Sequence, residues 1–283
     1  MTTEPFTQWL ETWEPPETVV DDTLDPAPLH ALAAALDRPV PSGGTVPPLW
    51  HWLYFLRWPR AEELGGDGHP TAGPLLPPVP DRTRMFGGGR VTFAAPLRCS
   101  VPARRRSSVA RWTVKEGRTG AMLFVTERHE VEQGGAVALV EEHDLVYRSG
   151  PTPARTFGAL STSTPAVDAP WRSPLRVDPV VLFRMSALTA NSHRIHYDWP
   201  YATRAEGYPG LVVHGPLLAL SMAALAMDHT PDRAMTAMSF RLRRPVFADE
   251  AIVVTGQPLD GAAKLAVAGD DGEPRATAEA RFA

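Results

Sequence analysis

A single cysteine, Cys99, stands in a chain of 283 residues. That excludes an internal disulfide framework and any zinc site built on paired thiolates. Long apolar runs are missing too: none approaches the roughly 18 to 20 residues that a membrane-spanning helix requires. The opening MTTEPFTQWLETWEPPE is acidic and has no basic segment ahead of an apolar one, so it does not read as a secretory leader. Arginines cluster at 104–106 and at Arg241, Arg243 and Arg244. The formal net charge is nevertheless −4 and no long basic tract exists, so nucleic acid is not an expected partner. The triple glycine at 87–89 precedes a strand pattern instead of a helix, which makes it a turn and not a phosphate cradle. No Gly-x-Ser-x-Gly elbow occurs. These absences point to a cytoplasmic protein with no membrane partner, no cofactor and no metal.

Proline, by contrast, is abundant: its 30 residues are about twice the usual share of ~5%, and they imply many turns and long ordered connectors. An apolar fraction of 43%, with 8 Trp and 10 Phe, supports a real core. The length suits two domains of roughly 130 to 150 residues. A stretch rich in Ser, Thr, Pro and Ala at 149–174 has little periodicity and serves as the linker between 1–148 and 175–283.

Each half repeats one order of patterns: a polar lead-in, one buried helix, then about four antiparallel strands. The first half opens with a short extended piece and a short helix around Leu29, Leu32, Ala33 and Leu36. The run PPLWHWLYFL at 47–56 follows, and its prolines favour a buried helix over a strand. A Pro/Gly-rich loop at 59–88 is long enough to be functional. Strand patterns occupy 90–94, 107–115, 121–132 and 136–147. In the second half, 175–187 is expected to be extended, 201–208 a short helix and turn, and 216–227 an apolar helix. Strands follow at 234–243, 251–258, 263–268 and 275–282, the last two joined by a hairpin at Asp270, Asp271 and Gly272. A long apolar helix facing several antiparallel strands suggests a sheet curled around it, and two such α+β units would form a pseudo-dimer.

Chemistry concentrates at 191–198, where Asn191, His193, Arg194, His196 and Asp198 fall within eight residues. An apolar helix begins shortly afterwards at His214, Gly215 and Pro216. The first N–H groups of a helix have no intrahelical acceptor, and its dipole favours negative charge there. A titratable loop beside such a helix start suits a reaction that passes through an oxyanion.

The stretch FRMSALTANSHRIHYDWPYATRAEGYPGLVVHGPLLA closely resembles the hotdog-fold enoyl-thioester hydratases and 3-hydroxyacyl-thioester dehydratases. Within them it is most similar to the MaoC-like double-hotdog branch, which includes mesaconyl-C4-CoA and itaconyl-CoA hydratases and 3-hydroxyacyl-thioester dehydratase 2. PPLWHWLYFL, DGHPTAGPLLPPVP and EEHDLVYR carry the same resemblance in the first half, so it spans residue 47 to the C-terminus. The resemblance implies two antiparallel sheets, each wrapped around a central helix, and a hydro-lyase that adds water to, or removes it from, an α,β-unsaturated acyl thioester. It places acid–base work on His196 and the oxyanion N–H on Gly215. Asn191 falls where the wider family carries Asp, and because an amide cannot titrate it would orient water while His196 handles the proton. The implied partner is an acyl-CoA or acyl carrier protein thioester of mesaconyl or itaconyl type, in a possible homodimer of double hotdogs. The first half becomes a non-catalytic wall of the acyl pocket. Arg194, His214, Tyr208, Arg241 and Arg243 are the candidates for substrate binding.

Blander readings stand beside these. Arg194 reaches a phosphate or is simply solvated; Asp198 bonds His196 or, preferably, caps the turn at Tyr201. His214 lines the pocket or holds its loop. Arg241, Arg243 and Arg244 meet phosphates or protect a sheet edge. Trp50, His51, Trp52 and Tyr54 are core first and acyl wall second, and His69 is an ordinary loop histidine before it is a site residue. Arg84 or Arg90 would meet the distal carboxylate of a dicarboxylic acyl group. Zinc on His193 and His196 is disfavoured, because no Cys or Glu cluster completes a ligand set. Rival functions are a fatty-acid or polyketide 3-hydroxyacyl-thioester dehydratase, a hotdog acyl-CoA thioesterase, and a non-catalytic acyl-thioester-binding subunit supported only by Asn191.

Overall fold

A computed structural model describes residues 4–117, 120–150, 157 and 160–283. Helix α1 (Glu4–Leu10), strand β1 (Thr18–Asp22) and helix α2 (Ala27–Ala35) precede four long strands. These are β2 (Arg82–Phe93), β3 (Ala103–Gly117), β4 (Gly120–Gln133) and β5 (Ala136–Ser149). The second half has β6 (Trp171–Leu175), helices α3 (Pro179–Leu188) and α4 (Gly215–His229), then β7 (Met235–Leu242), β8 (Ile252–Leu259), β9 (Ala262–Ala268) and β10 (Pro274–Phe282). Among the described residues no helix is long and apolar enough to cross a membrane.

Alternation along the strands sets which face is covered. On β4 the buried apolar residues Ala121, Leu123, Val125 and Val131 share one face, and on β5 Leu139, Leu145 and Tyr147 do the same. All ten strands pair antiparallel in the order β1-β3-β4-β5-β2-β7-β10-β9-β8-β6, so the two halves form one continuous sheet. In the second half, α4 packs against β6 to β10 and is buried from Leu217 to Leu220 and from Met222 to Ala226. Its Ala, Leu and Met residues combine high helix propensity with apolar bulk on every side. This is the α+β double hotdog architecture.

The joint between the halves is the β2–β7 pairing, from Gly88 opposite Arg241 to Thr92 opposite Ala237. Gly87, Gly88 and Gly89 lie inside β2 and are not a turn. A Cβ on Gly88 would stand 2.3 Å from the Phe240 carbonyl oxygen, and one on Gly89 would stand 2.7 Å from that of Glu142. Glycine is needed there because β2 is squeezed between β5 and β7. A bulge between Phe86 and Gly88 also changes the parity of the strand, and its two ends therefore present opposite alternations.

Two further expectations are corrected. Residues 47–56 form no buried α-helix: only Trp50–Leu53 make a single 3₁₀ turn, flanked by Leu49 and Phe55 at φ of 69° and 58°. The Phe55 N–H is drawn off to Asp22 Oδ2 at 2.8 Å, and Tyr54 Oη donates to the Asp25 carbonyl at 2.7 Å. Against the apolar face of β4 and β5, Phe6 and Leu10 of α1 join Val79, Leu123, Val125, Leu145 and Tyr147 in a second core. Likewise, 175–187 is mostly helix and not extended. Asp178 caps α3 by accepting from the Val181 N–H at 2.8 Å, with Pro179 in its first turn. The linker assigned to 149–174 already contains the first residues of β6, and its residues 151–156, 158 and 159 lie outside the described residues.

Candidate active site

The loop from α3 to α4 is built to present histidines. Asn191 anchors its start: its N–H bonds the Ser186 carbonyl at 2.9 Å, and its Oδ1 accepts from the His193 N–H at 3.1 Å. A 3₁₀ turn at Arg194–His196 then carries His196 inward to 7% exposure. His196 Nδ1 lies 2.7 Å from the Val212 carbonyl oxygen. A carbonyl can only accept, so Nδ1 holds the proton and Nε2 keeps a lone pair. Burial pushes His196 down to about 4, which leaves it neutral at pH 7.

His214 stacks on His196 with ring centroids 3.7 Å apart, and its Nε2 is hydrogen-bonded to Ser186 Oγ at 2.9 Å. Burial, with His196 and His193 nearby, holds His214 well below the usual histidine range. Gly215 follows as the first residue of α4. A Cβ there would lie 2.1 Å from Leu242 Cδ1 and 3.4 Å from Phe86 Cδ1, so a bare backbone is what fits at this helix start.

The first half enters this site directly. In the 59–88 loop, Gly68 has φ of +86°, and a Cβ on it would stand 1.9 Å from the Ser192 carbonyl oxygen. Ser192 Oγ donates to the Gly68 carbonyl at 2.6 Å, the Arg194 N–H to that of Asp67 at 2.9 Å, and Arg194 Nη1 to that of Gly66 at 2.8 Å. His69 is thereby laid on His193, with centroids 4.0 Å apart, and His193 meets His196 edge-on at 5.5 Å. His69 Nδ1 lies 3.0 Å from Asp67 Oδ2. Burial opposes ionisation of Asp67, but hydrogen bonds from His69 and the nearby imidazoles outweigh it and hold the carboxyl at about 2. Burial, together with His69 and His196, pushes His193 down to about 2. His69 is thus part of the site, against the expectation of an ordinary loop histidine.

Asp67, His69 and His193 each offer one ligand atom, all within 4.8 Å of one another. Among the described residues this trio, and not the pair His193 and His196, has the spacing that could hold a cation.

A cavity of about 1350 Å³ collects these groups: Asn191, His193, His196, Tyr208 and Gly215 line it, together with His69. Tyr208 packs beside Phe157 and Phe247. Arg243 and Arg244 also line it; Arg244 pairs with Asp271, and Arg243 Nε donates to Thr277 Oγ1 at 3.3 Å. Three sequence candidates lie off this wall: His214, 1% exposed, is packed behind His196 against Ser186 and supports the loop instead of lining the pocket, and two arginines lie elsewhere. Arg194 is not on the cavity wall: its guanidinium grips Asp198 at 2.7 Å and covers the Tyr201 ring at 4.4 Å. Asp198 in turn caps the Tyr201 N–H at 3.1 Å. Arg241 lines a separate, smaller depression with Arg90 and Lys264.

The inner wall from the first half is polar. Arg84, Arg105, Glu127, His129, Glu141 and His143 all face the cavity. Glu141 accepts from Trp52 Nε1 at 2.7 Å and approaches His51 Nε2 at 3.2 Å and His143 Nε2 at 3.0 Å. Although burial opposes it, Glu141 is held well below the carboxylate range by those imidazoles, and His143 is correspondingly raised by Glu141. Arg105 donates to the Phe55 carbonyl at 3.0 Å, while its Nε is buried without a partner. Arg84 forms no ion pair among the described residues, whereas Arg90 is taken up by Glu142 and Asp144. Alternation through EEHDLVYR carries the signal for this wall, since Glu141 and His143 share the face of Leu139, Leu145 and Tyr147.

The chain is similar to several known proteins. Mesaconyl-C(4)-CoA hydratase of Chloroflexus aurantiacus is 44% identical over 250 residues, covering 86% of this chain and 88% of its own. The mitochondrial hydroxyacyl-thioester dehydratase type 2 of Schizosaccharomyces pombe is 26% identical over 268 residues, covering 83% of this chain and 88% of its own. The fold matches a MaoC-like dehydratase from Phytophthora capsici with a TM-score of 0.69 at 14% identity, over 100% of this chain and 99% of that one. HtdX of Mycobacterium tuberculosis gives 0.65 at 20% identity, over 95% and 100% of the two chains. With the family model for hydroxyacyl-thioester dehydratase type 2 matching residues 49–248, the chain belongs to that family.

Proposed function

We propose that the protein is a hydro-lyase that hydrates an α,β-unsaturated acyl-CoA, with a short dicarboxylic acyl group of the mesaconyl type. One observation carries the reading: a buried, neutral His196 with a bare Nε2 shares a cavity with the side-chain-free start of α4 at Gly215. In hydration, a water proton passes to an imidazole, the water oxygen bonds Cβ, and the double-bond electrons move towards the thioester oxygen. The Gly215 N–H and the helix dipole hold that oxygen, and such donors are typically worth ~3 kcal/mol. The amide of Asn191 orients the water. The same groups run the dehydration of a 3-hydroxyacyl thioester in reverse.

The acyl group is chosen by the polar inner wall. A fatty acyl chain would set Arg84, Arg105 and the Glu141–His143 pair against hydrocarbon, at the cost of desolvating charge. A distal carboxylate instead finds Arg84, a wall cation that forms no ion pair among the described residues. Arg243 at the cavity wall suits the phosphates of a CoA carrier. The 44% identical relative, named a mesaconyl-C(4)-CoA hydratase, supports the same choice. The test is an assay of the purified protein with mesaconyl-C4-CoA, itaconyl-CoA and crotonyl-CoA. Loss of the conjugated enoyl absorbance, fastest with mesaconyl-C4-CoA, is expected; release of free CoA, or a preference for crotonyl-CoA, counts against the reading.

A further inference from the structure

The 191–198 loop is short of one component for its chemistry. Asn191 cannot titrate. An imidazolium formed on His196 would have only the neutral Val212 carbonyl behind it. His193 lies between two other imidazoles and has no carboxylate of its own among the described hydrogen bonds. The missing carboxylate arrives from the other half of the molecule.

We propose that Asp67 and His69, on the loop donated by the first half, form the acid–base group that carries the proton in the reaction, with His196 beside it orienting the water. The assignment rests on the hydro-lyase reading above and deepens it. His69 Nδ1 faces Asp67 Oδ2 at 3.0 Å, and the His69 N–H donates to Asp67 Oδ1 at 2.9 Å, so both carboxylate oxygens are spent on this one histidine. An ionised carboxylate can only accept, which puts the proton on Nδ1 and leaves the Nε2 lone pair free for a reactant. When Nε2 takes a proton, the imidazolium is backed by a carboxylate, which His196 lacks.

The pair is also held firmly in place. Its loop is tied to the 191–198 loop by the Ser192–Gly68, Arg194–Asp67 and Arg194–Gly66 bonds. On the far side Arg82 Nη2 donates to the carbonyls of Pro70 and Thr71, at 3.1 and 2.6 Å. The groups acting on His69 are Asp67, which favours its charged form, and Arg82 and Arg84, which with burial favour the neutral one. His193, against which it is stacked, is neutral at pH 7.

The step balances with one water. His69 Nε2 takes a proton from the water, whose orientation His196 Nε2 and Asn191 fix by hydrogen bonds. The water oxygen bonds Cβ, and the Cα–Cβ π pair shifts to form the enolate at Gly215. The enolate collapses as Cα takes the proton from His69 Nε2, which returns His69 to its starting state. General acid–base groups of this kind are worth roughly 10²–10⁴ in rate.

His69→Ala and Asp67→Asn test this in the full-length protein, with circular dichroism and Tm recorded alongside turnover of mesaconyl-C4-CoA. His69→Ala is expected to lower kcat by ~10²-fold or more with KM changed by less than about threefold. Added imidazole should restore turnover, with 4-methylimidazole, the stronger base, restoring more. Asp67→Asn, which keeps the size of the side chain, should lower kcat and lower the pH at which kcat/KM falls off on the acid side, because the carboxylate that favours charged His69 is gone. Retention of kcat within threefold in both variants would overturn the proposal. So would a loss in His69→Ala that imidazole does not rescue while the fold is intact, or stoichiometric zinc in the wild type that His69→Ala loses. If His69→Ala fails to fold, Asp67→Asn decides. An inactive wild type would instead overturn the hydro-lyase reading and this assignment with it.

Discussion

Arg84 and Arg90 are alike in sequence and different in use. They stand six residues apart on β2, but the bulge between Phe86 and Gly88 leaves Arg84 on the cavity wall and Arg90 outside, beside Glu142 and Asp144. Replacing Arg84 by Met should therefore lower kcat/KM for mesaconyl-C4-CoA by ~30-fold or more, from about 2 kcal/mol lost with a buried charge pair. The ratio of kcat/KM for mesaconyl-C4-CoA to that for crotonyl-CoA, measured in both proteins, should collapse; an unchanged ratio would remove Arg84 from the acyl site. Residues of this kind divide by how local their signal is. His196 and Gly215 were legible because the loop and the helix start lie within about 20 residues of sequence. His69 was not, because nothing local announces that it will lie on His193, which comes from the other half of the chain. Arg194 looked free in the sequence because Asp198, four residues on, was read as a partner of His196 or a cap for Tyr201, and because the Gly66 carbonyl comes from the other half of the chain.

Among elements, the 59–88 loop changes the account most. Its length and Pro/Gly content marked it as functional, but its docking site could not be read from composition. Gly68 makes that docking possible, since a side chain there would meet the Ser192 carbonyl. Gly68→Ala must move backbone, and strain of about 1–3 kcal/mol should lower kcat/KM at least ~5-fold. Gly66→Ala places its Cβ in open space and is expected to stay within about twofold, which steady-state kinetics on both variants will show. The apolar α4 and the strands were plain from their periodicity. The run 47–56 misled because burial on all sides does not distinguish a helix from an irregular segment whose N–H groups are taken by Asp22 and local turns. At α3 the signal was present, in Asp178 followed by Pro179, and Val180, Val181 and Leu182 masked it by suggesting a strand.

At the scale of the molecule, one antiparallel sheet carries both halves, and the chemistry sits where they meet. That burial leaves a trace in pH-dependent stability. His129 is pushed down to about 3 and His196 to about 4, in both cases mainly by burial, and His214 is held well below its usual range. Their folded values lie below the unfolded value near 6.5, so the unfolded chain binds more protons in between. Their contribution is complete above pH 6.5 and is lost as pH falls from there towards 4 and 3. Each group adds about 1.4 kcal/mol per pH unit in that window. His143, raised by Glu141, acts in the opposite sense, favouring the fold at pH below 6.5 and losing that effect as pH rises through its folded value. Urea unfolding at pH 7, 6 and 5 should show stability falling with pH, and a flat or rising profile would mean that these imidazoles are not buried neutral.

The central claim is that water is added to the acyl thioester with His196 in the reacting shell. Incubation with mesaconyl-C4-CoA in ¹⁸O-labelled water, followed by mass spectrometry of the intact CoA ester, tests it most directly. The account predicts that the product thioester gains one labelled water, with the label on the carbon chain, and that His196→Ala abolishes this gain. Label in a free carboxylate with release of CoA, or full incorporation by His196→Ala, would contradict it.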